Sequence, residues 1–244
     1  MLQVADGVHR LGARLVNWFI VEEGGRLILV DAGNPRQYRQ LPRALAAMGK
    51  TIGDVEAVLL THAHGDHLGA SRKIQDRGGA AIRVHHGDAA LARGEAEREY
   101  ERHYVRDLGH LHAWKALPFF LFGGATMAKP VAELATFDDG ERLDLPGSPR
   151  VIHTPGHTDG SACLVMEGRR VLFTGDALVT LNISTGAEGP RIMPGAFNKD
   201  SPRSLESLSS LQELEVDMVL PGHGEPWAGS AAEAVRLALE TGPA

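Results

Sequence analysis

The sequence predicts a layered α+β fold in which two similar halves pack sheet on sheet, with helices outside. Three observations point there. Apolar residues make up 43% of the 244, enough for a sizeable core, while 29 glycines and 13 prolines imply many tight turns. Short apolar runs of strand length alternate with stretches of helical spacing. The order of these runs in the first half then recurs in the second.

Leu15–Val21 and Arg26–Val30 are β-type runs, and Glu22-Glu23-Gly24-Gly25 between them is a hairpin signal. The second run ends in Asp31-Ala32-Gly33. Tyr38, Leu41, Leu45 and Met48 follow at helical spacing. Val55–Leu60 is a continuous apolar run and reads as a buried strand, and a helix from Leu68 to Gln75 is stopped by Gly78-Gly79. In the second half Arg170–Ala177 (RVLFTGDA) resembles Arg26–Gly33 (RLILVDAG), and Val216–His223 (VDMVLPGH) resembles Val55–His62 (VEAVLLTH). Leu205, Leu208, Leu211 and Leu214 form the intervening helix, with Ser201-Pro202 as cap and first helical position. Each half thus reads as a βαβ-like unit with polar residues at its strand ends.

Gly87–Thr136 breaks the symmetry. It is rich in charge up to Asp107 and apolar through Phe119-Phe120-Leu121-Phe122. It reads as a helical insertion, suited to covering a core, roofing a site as a lid, or forming a homodimer interface. The expectation is one domain over 1–244, with a lid-like insertion at about 87–136.

The formal net charge is −6 and no basic stripe stands out, which argues against nucleic-acid binding. The chain lacks a run of 18 apolar residues and a signal-peptide pattern at its N-terminus, so a soluble cytoplasmic protein with no membrane role is expected. Cys163 is the single cysteine; it has no internal disulfide partner and reads as a buried thiol.

The chemistry begins where the Val55–Leu60 run ends. His62, His64, Asp66 and His67 form H-x-H-x-D-H. Imidazole and carboxylate are ligands suited to zinc, iron or manganese. Residues i and i+2 of an extended segment share a face, so His62 and His64 can reach one metal, and a turn at Gly65 would swing Asp66 and His67 to a neighbouring point. With 12 histidines in 244 residues, chance supplies this pattern far less than once, against the plain alternative of a surface histidine cluster. Downstream, His157 (TPGHT), Asp176 (TGDA) and His223 (PGHG) each follow a glycine beside an apolar run. Together the set supplies seven ligands, which suits two metals with one shared carboxylate. His9, His85, His86, His103, His110, His112 and His153 are left without a metal role, and a substrate role for His110 and His112 stays open.

The ordered set Asp31, His62-x-His64-x-Asp66-His67, His157, Asp176 and His223 resembles the five-motif signature of the metallo-β-lactamase superfamily, over most of the chain. The resemblance implies a four-layer αββα sandwich of two pseudo-repeated halves with the metals at one edge. It implies His62, His64 and His157 at one metal, Asp66, His67 and His223 at the other, Asp176 bridging them, and Asp31 orienting a ligand. The expected activity is a dinuclear hydrolase that uses a metal-bridging hydroxide to cleave a carboxylic ester, thioester or lactone in a small molecule with an acyl or aryl group. Asp66 or Asp176 takes a proton. Zinc is the first expectation for the two divalent ions, and iron or manganese fits the same ligands.

Departures from the family narrow the choice. β-Lactamases of this family carry cysteine or serine where this chain has Asp176. Glyoxalase II enzymes carry a long helical C-terminal region, whereas Glu225–Ala244 holds one short helix with a Ser230-x-x-Glu233 capping box. Acyl-homoserine lactonases commonly place a tyrosine three residues after the bridging aspartate, where Val179 stands here. The alternatives are a mononuclear iron persulfide dioxygenase using His62, His157 and Asp176, and a non-catalytic metal-binding module.

Overall fold

The structure, a computed structural model, describes residues 1–101 and 109–242, and excludes the side chains of Ala116, Phe119, Phe120 and Leu121. His103, Asp107 and most of the expected Phe119–Phe122 roof therefore lie outside the described residues.

The first half supplies β1 (Leu2–Ala5), β2 (Val8–Ala13), β3 (Val16–Glu23), β4 (Arg26–Val30), β5 (Val55–Leu59), β6 (Ala81–His85) and β7 (Ala135–Phe137). Among the described residues these form one seven-stranded sheet in chain order. The second half supplies β8 (Arg150–His153), β9 (Ala162–Met166), β10 (Val171–Gly175), β11 (Val179–Leu181), β12 (Glu188–Arg191), β13 (Met218–Pro221) and β14 (Trp227–Ala228). Its sheet runs β14-β13-β10-β9-β8, with β11 and β12 as a separate hairpin. The helices are α1 (Gln40–Ala47), α2 (Ser71–Gly78), α3 (Ala89–Ala92), α4 (Leu111–Gly123), α5 (Ser201–Ser207) and α6 (Ala231–Thr241).

Strand alternation sorts the apolar residues into layers. In β4, Leu27 and Leu29 face outward, where they join Leu41 and Leu45 of α1 and Ile74 of α2. Ile28 and Val30 point the other way, into a layer shared with Val171, Phe173 and Leu220 of the second sheet. Leu172 and Val219 of that sheet face outward again, onto Leu208, Leu211 and Val235. Phe19 and Phe173 meet edge to face across the centre with ring centroids 5.2 Å apart, a contact worth about 1 kcal/mol beyond its buried area. The result is helix, sheet, sheet, helix.

The internal repeat is structural as well. β3 and β4 are antiparallel and β4 and β5 parallel; β9 and β10 are antiparallel and β10 and β13 parallel. Helix α1 crosses over in the first unit and α5 in the second. Asp31 and His62 follow the first parallel pair, and Asp176 and His223 the second, so the four residues leave equivalent strand ends.

Local differences from expectation have local causes. The β1–β2 hairpin was not anticipated, because Arg10 and the glycines of this stretch interrupt its alternation. The helix expected over Tyr38–Met48 begins as a 3₁₀ turn, Pro35–Arg39, and α1 then tolerates Pro42 in its first turn, where a missing N–H costs no bond. The helix expected from Leu68 starts at Ser71, because the Leu68 and His67 N–H groups both turn back onto the His64 carbonyl. Gly79 stops it in the left-handed region at φ 77°. The second leucine-spaced helix splits into α5 and a 3₁₀ turn over Leu208–Leu211. The insertion ends in a strand, β7, that extends the first sheet. Among the described residues no helix is long and apolar enough to cross a membrane.

Cys163 is fully buried on β9, where burial pushes its thiol up to about 12. The native protein is therefore expected to leave a thiol-reactive chromogenic disulfide unreduced at pH 8, with one equivalent reacting only after denaturation. Rapid labelling of the native protein would show that β9 opens readily.

Candidate metal centre

All seven expected ligands are buried and leave the C-terminal edges of the two sheets. His62, His64, Asp66 and His67 lie just beyond β5, His157 between β8 and β9, Asp176 after β10 and His223 after β13. Three groupings place one ligand atom from each residue within 4.8 Å of one another: His62, His64 and His157; His62, His67 and Asp176; and Asp66, His67 and His223. His62 Nε2 is 3.2 Å from His157 Nε2. Asp66 Oδ2 is 3.6 Å from His223 Nε2 and 3.8 Å from His67 Nε2. Asp176 stands between the groups, with Oδ2 3.4 Å from His157 Nε2 and 3.0 Å from His223 Nε2, and Oδ1 3.4 Å from His67 Nε2.

The opposite ring nitrogens are tied outward. His67 Nδ1 lies 2.8 Å from Asp31 Oδ2, and His157 Nδ1 lies 3.1 Å from Asn198 Oδ1. His62 Nδ1 is 3.2 Å from the Thr61 hydroxyl, and His223 Nδ1 meets the Leu15 carbonyl. An Nδ1–H donated outward fixes the tautomer and leaves the Nε2 lone pair facing in. Asn198 cannot turn its amide round, because its Nδ2 donates to the Met193 carbonyl at 2.7 Å.

Burial, reinforced by neighbouring imidazoles, pushes His62 and His64 well below the ordinary histidine range, and burial lowers His157 as well. Burial opposes charge on His67 too, but the carboxylates of Asp176, Asp31 and Asp66 outweigh it and push that ring up to about 10. Burial likewise works against a charged Asp176, and His223 and His67 overcome it, holding the carboxyl well below its usual range. The neutral rings of His62, His64 and His157 and the anionic carboxylate oxygens are thus gathered in one buried place, and a divalent cation would take the place of the proton that the carboxylates draw onto His67.

The fit can be tested on atoms left over. Among the described residues, the buried His67 Nε2 and Asp176 Oδ1 have no hydrogen-bond partner. Such atoms are costly to bury unpaired, and a cation between them would satisfy both. Gly222 shows how tightly the cradle is built: a Cβ there would lie 2.3 Å from Asp176 Oδ1 and 2.6 Å from His67 Cε1. Gly65 is constrained in the same way, since its Cβ would lie 2.0 Å from the Ala125 carbonyl oxygen.

Sequence reasoning missed three supports. Thr61 donates its N–H and hydroxyl to Asp31, Asn198 orients His157, and Asp88 joins the loops. The buried Asp88 carboxylate accepts the Ala63 N–H at 2.8 Å, the Gly160 N–H at 2.7 Å and the Thr158 hydroxyl at 2.9 Å. It therefore binds the His62–His64 loop to the His157 loop.

A cavity of about 140 Å³ opens on His64, Asp66, His157, Asp176 and His223. The insertion supplies Arg98, Tyr100, Ala125 and Thr126 to its wall, and Ile183, Met193 and Phe197 form the apolar side. Helix α4 packs elsewhere, Gly123 against Asn34 and His112 against Gly186 of the β11–β12 turn. Phe122 is exposed, so it does not roof the cavity. His85, His86 and Asp138 form a separate cluster, but His85 stacks on His153 with centroids 4.0 Å apart and the other two are exposed.

Residues 11–223 match the family described as "Metallo-beta-lactamase superfamily". The probable metallo-hydrolase YflN of Bacillus subtilis is 28% identical over 239 residues, covering 93% of this chain and 87% of that protein. The probable metallo-hydrolase YybB of the same organism is 27% identical over 208 residues, covering 85% and 80%. Among solved structures, the metallo-beta-lactamase family protein TTHA1429 from Thermus thermophilus superposes with a TM-score of 0.66 at 28% identity, covering 96% of this chain and 79% of that one. TTHA1623, solved in a di-iron-bound form, gives a TM-score of 0.62 at 28% identity, covering 91% and 93%.

Two substitutions test the construction. Asp88→Ala leaves three buried donors unpaired and is expected to destabilise the fold by about 3 kcal/mol or more in denaturant unfolding; an unchanged midpoint would show that the loops are held by other contacts. Gly222→Ala is expected to weaken metal binding by about tenfold or more, measured by chelator competition, because it displaces Asp176 and His67.

Proposed function

The chain belongs to the metallo-beta-lactamase superfamily and is a metal-dependent hydrolase, and on that premise we propose that it cleaves a carboxylic ester, thioester or lactone at a centre of two divalent ions. The observation that carries this reading is the single buried carboxylate of Asp176, whose two oxygens approach imidazoles of both ligand groups. His62, His64 and His157 would hold one ion, Asp66, His67 and His223 the other, and Asp176 both. The di-iron form of TTHA1623 supports a two-ion site on this scaffold. Zinc is our assignment, and iron or manganese suits the same atoms.

Two such ions would act as Lewis acids and lower the pKa of a bound water from 15.7 toward about 7. The chain's own residues do the rest. Asp66, at 9% exposure, borders the cavity and is placed to accept a proton from the attacking water, with Asp176 as the second carboxylate. The backing contacts of Asp31, Thr61, Asn198 and the Leu15 carbonyl keep the imidazoles in register without reorganisation. Ile183, Met193 and Phe197 hold the acyl or aryl part of the substrate, and the insertion walls it in. No protein nucleophile is needed: Cys163 lies in the outer sheet layer, and the Ser161 hydroxyl is engaged with the Thr158 N–H at 3.0 Å.

Elemental analysis of protein purified without added metal tests the reading, together with turnover of aryl esters, thioesters and lactones. About two divalent ions per chain, hydrolysis lost on chelation and restored by metal, are expected. About one iron per chain with oxygen uptake on glutathione persulfide would replace the reading by a persulfide dioxygenase. No turnover with any metal would leave a non-catalytic metal-binding module.

A further inference from the structure

The stretch from Arg98 to Glu101 alternates its contacts. Glu99 pairs with Lys199 at 2.8 Å, and Glu101 donates its backbone N–H to the Asn198 carbonyl at 2.7 Å and accepts from the Ser201 hydroxyl. These bonds pin one side of the segment to the turn that positions His157. The other side faces the cavity. The Tyr100 ring stands 6.0 Å from the His64 ring. The Arg98 guanidinium lies so close to Gly65 that a Cβ there would be 2.8 Å from Nη2.

Arg98 is half-buried, and among the described residues it makes no ion pair. Of the acids nearby, Glu99 and Asp159 pair with Lys199, Asp66 lies against His223, and the exposed Glu97 makes no ion pair with Arg98. A guanidinium is always charged and presents a planar fork of donors that matches a carboxylate. Held beside a hydrolytic centre with no counterion among the described residues, it is a recognition group suited to an anion. The apolar side chains of Ile183, Met193 and Phe197 line the same cavity and suit the carbon chain that would join such an anion to the reacting carbonyl.

We propose that Arg98 binds a carboxylate on the substrate, so that the preferred substrate is an ester, thioester or lactone carrying a carboxylate elsewhere on its acyl chain. This rests on the hydrolytic reading above and narrows its substrate class.

Two esters of equal chain length test it: 4-nitrophenyl hexanoate, and the mono-4-nitrophenyl ester of adipic acid, which adds a terminal carboxylate. The metal-loaded wild type is expected to favour the adipate ester in kcat/KM. Arg98→Ala is expected to reduce the adipate-to-hexanoate ratio by about 10–100-fold, mainly through KM, and Arg98→Lys to recover part of it. An unchanged ratio overturns the proposal. Calorimetric titration with 6-methoxyhexanoate, an ether of matching length with a carboxylate and no hydrolysable bond, supplies a readout independent of turnover. Affinity at least about tenfold weaker for Arg98→Ala at equal metal content supports the site, and equal affinity overturns it. If neither ester is turned over, the ester form of the hydrolytic reading fails, and the titration alone decides whether Arg98 binds the carboxylate.

Discussion

The Asp31 carboxylate is the tie on which both the fold's edge and the metal centre depend. It sits at the end of β4 in the left-handed region, at φ 60°, a conformation that aspartate tolerates better than most residues. That turn lets one side chain accept the Thr61 N–H at 2.8 Å and the Thr61 hydroxyl at 2.9 Å while meeting His67 Nδ1 at 2.8 Å. The ends of two parallel strands are thereby locked to the ring of His67, one of the residues we assign to the metal. The second half places Asp176 at the equivalent strand end, but there the carboxylate faces inward. One structural position thus has two uses: Asp31 braces from behind, and Asp176 occupies the middle.

The two halves also hold each other's loops. Asn17 of β3 donates its side-chain amide to the carbonyls of Pro221 and Gly224, on either side of His223. Its backbone N–H meets the Gly222 carbonyl at 2.8 Å. In return the Ala162 N–H of β9 donates to the Thr61 carbonyl at 2.9 Å. The histidines of one half are therefore positioned by backbone and amide groups of the other, and the centre exists only when the sheets are packed. Contacts such as Phe19 on Phe173 support the chemistry without touching it.

Much of this was legible in the sequence because it is periodic or local. Arg26–Val30 and Val55–Leu60 are apolar runs of strand length, and H-x-H-x-D-H compresses four polar groups into six residues. The repeat placed Asp31, His62, Asp176 and His223 at matching strand ends. What was not legible depends on partners far away in the chain. Asp88 looks like an ordinary surface acid until Ala63, Thr158 and Gly160 converge on it. Asn198 is one polar loop residue among many until its amide is fixed by Met193. Arg98 stands in the charge-rich part of the insertion, and only its alternating contacts show that one side is turned inward. β7 escaped notice because three residues carry no usable pattern, and its place is set by pairing with β6.

The insertion separates two kinds of residue along the chain. The cage atoms come from the sheet edges, whereas Arg98, Tyr100, Ala125 and Thr126 come from an excursion that leaves the first sheet after β6 and returns at β7. Its exit and re-entry are neighbouring strands, so the side chains it turns toward the cavity can be exchanged while Asp88, which ties the ligand loops together at its root, is kept. A lineage built on this scaffold is free to change its diet while keeping its cutlery.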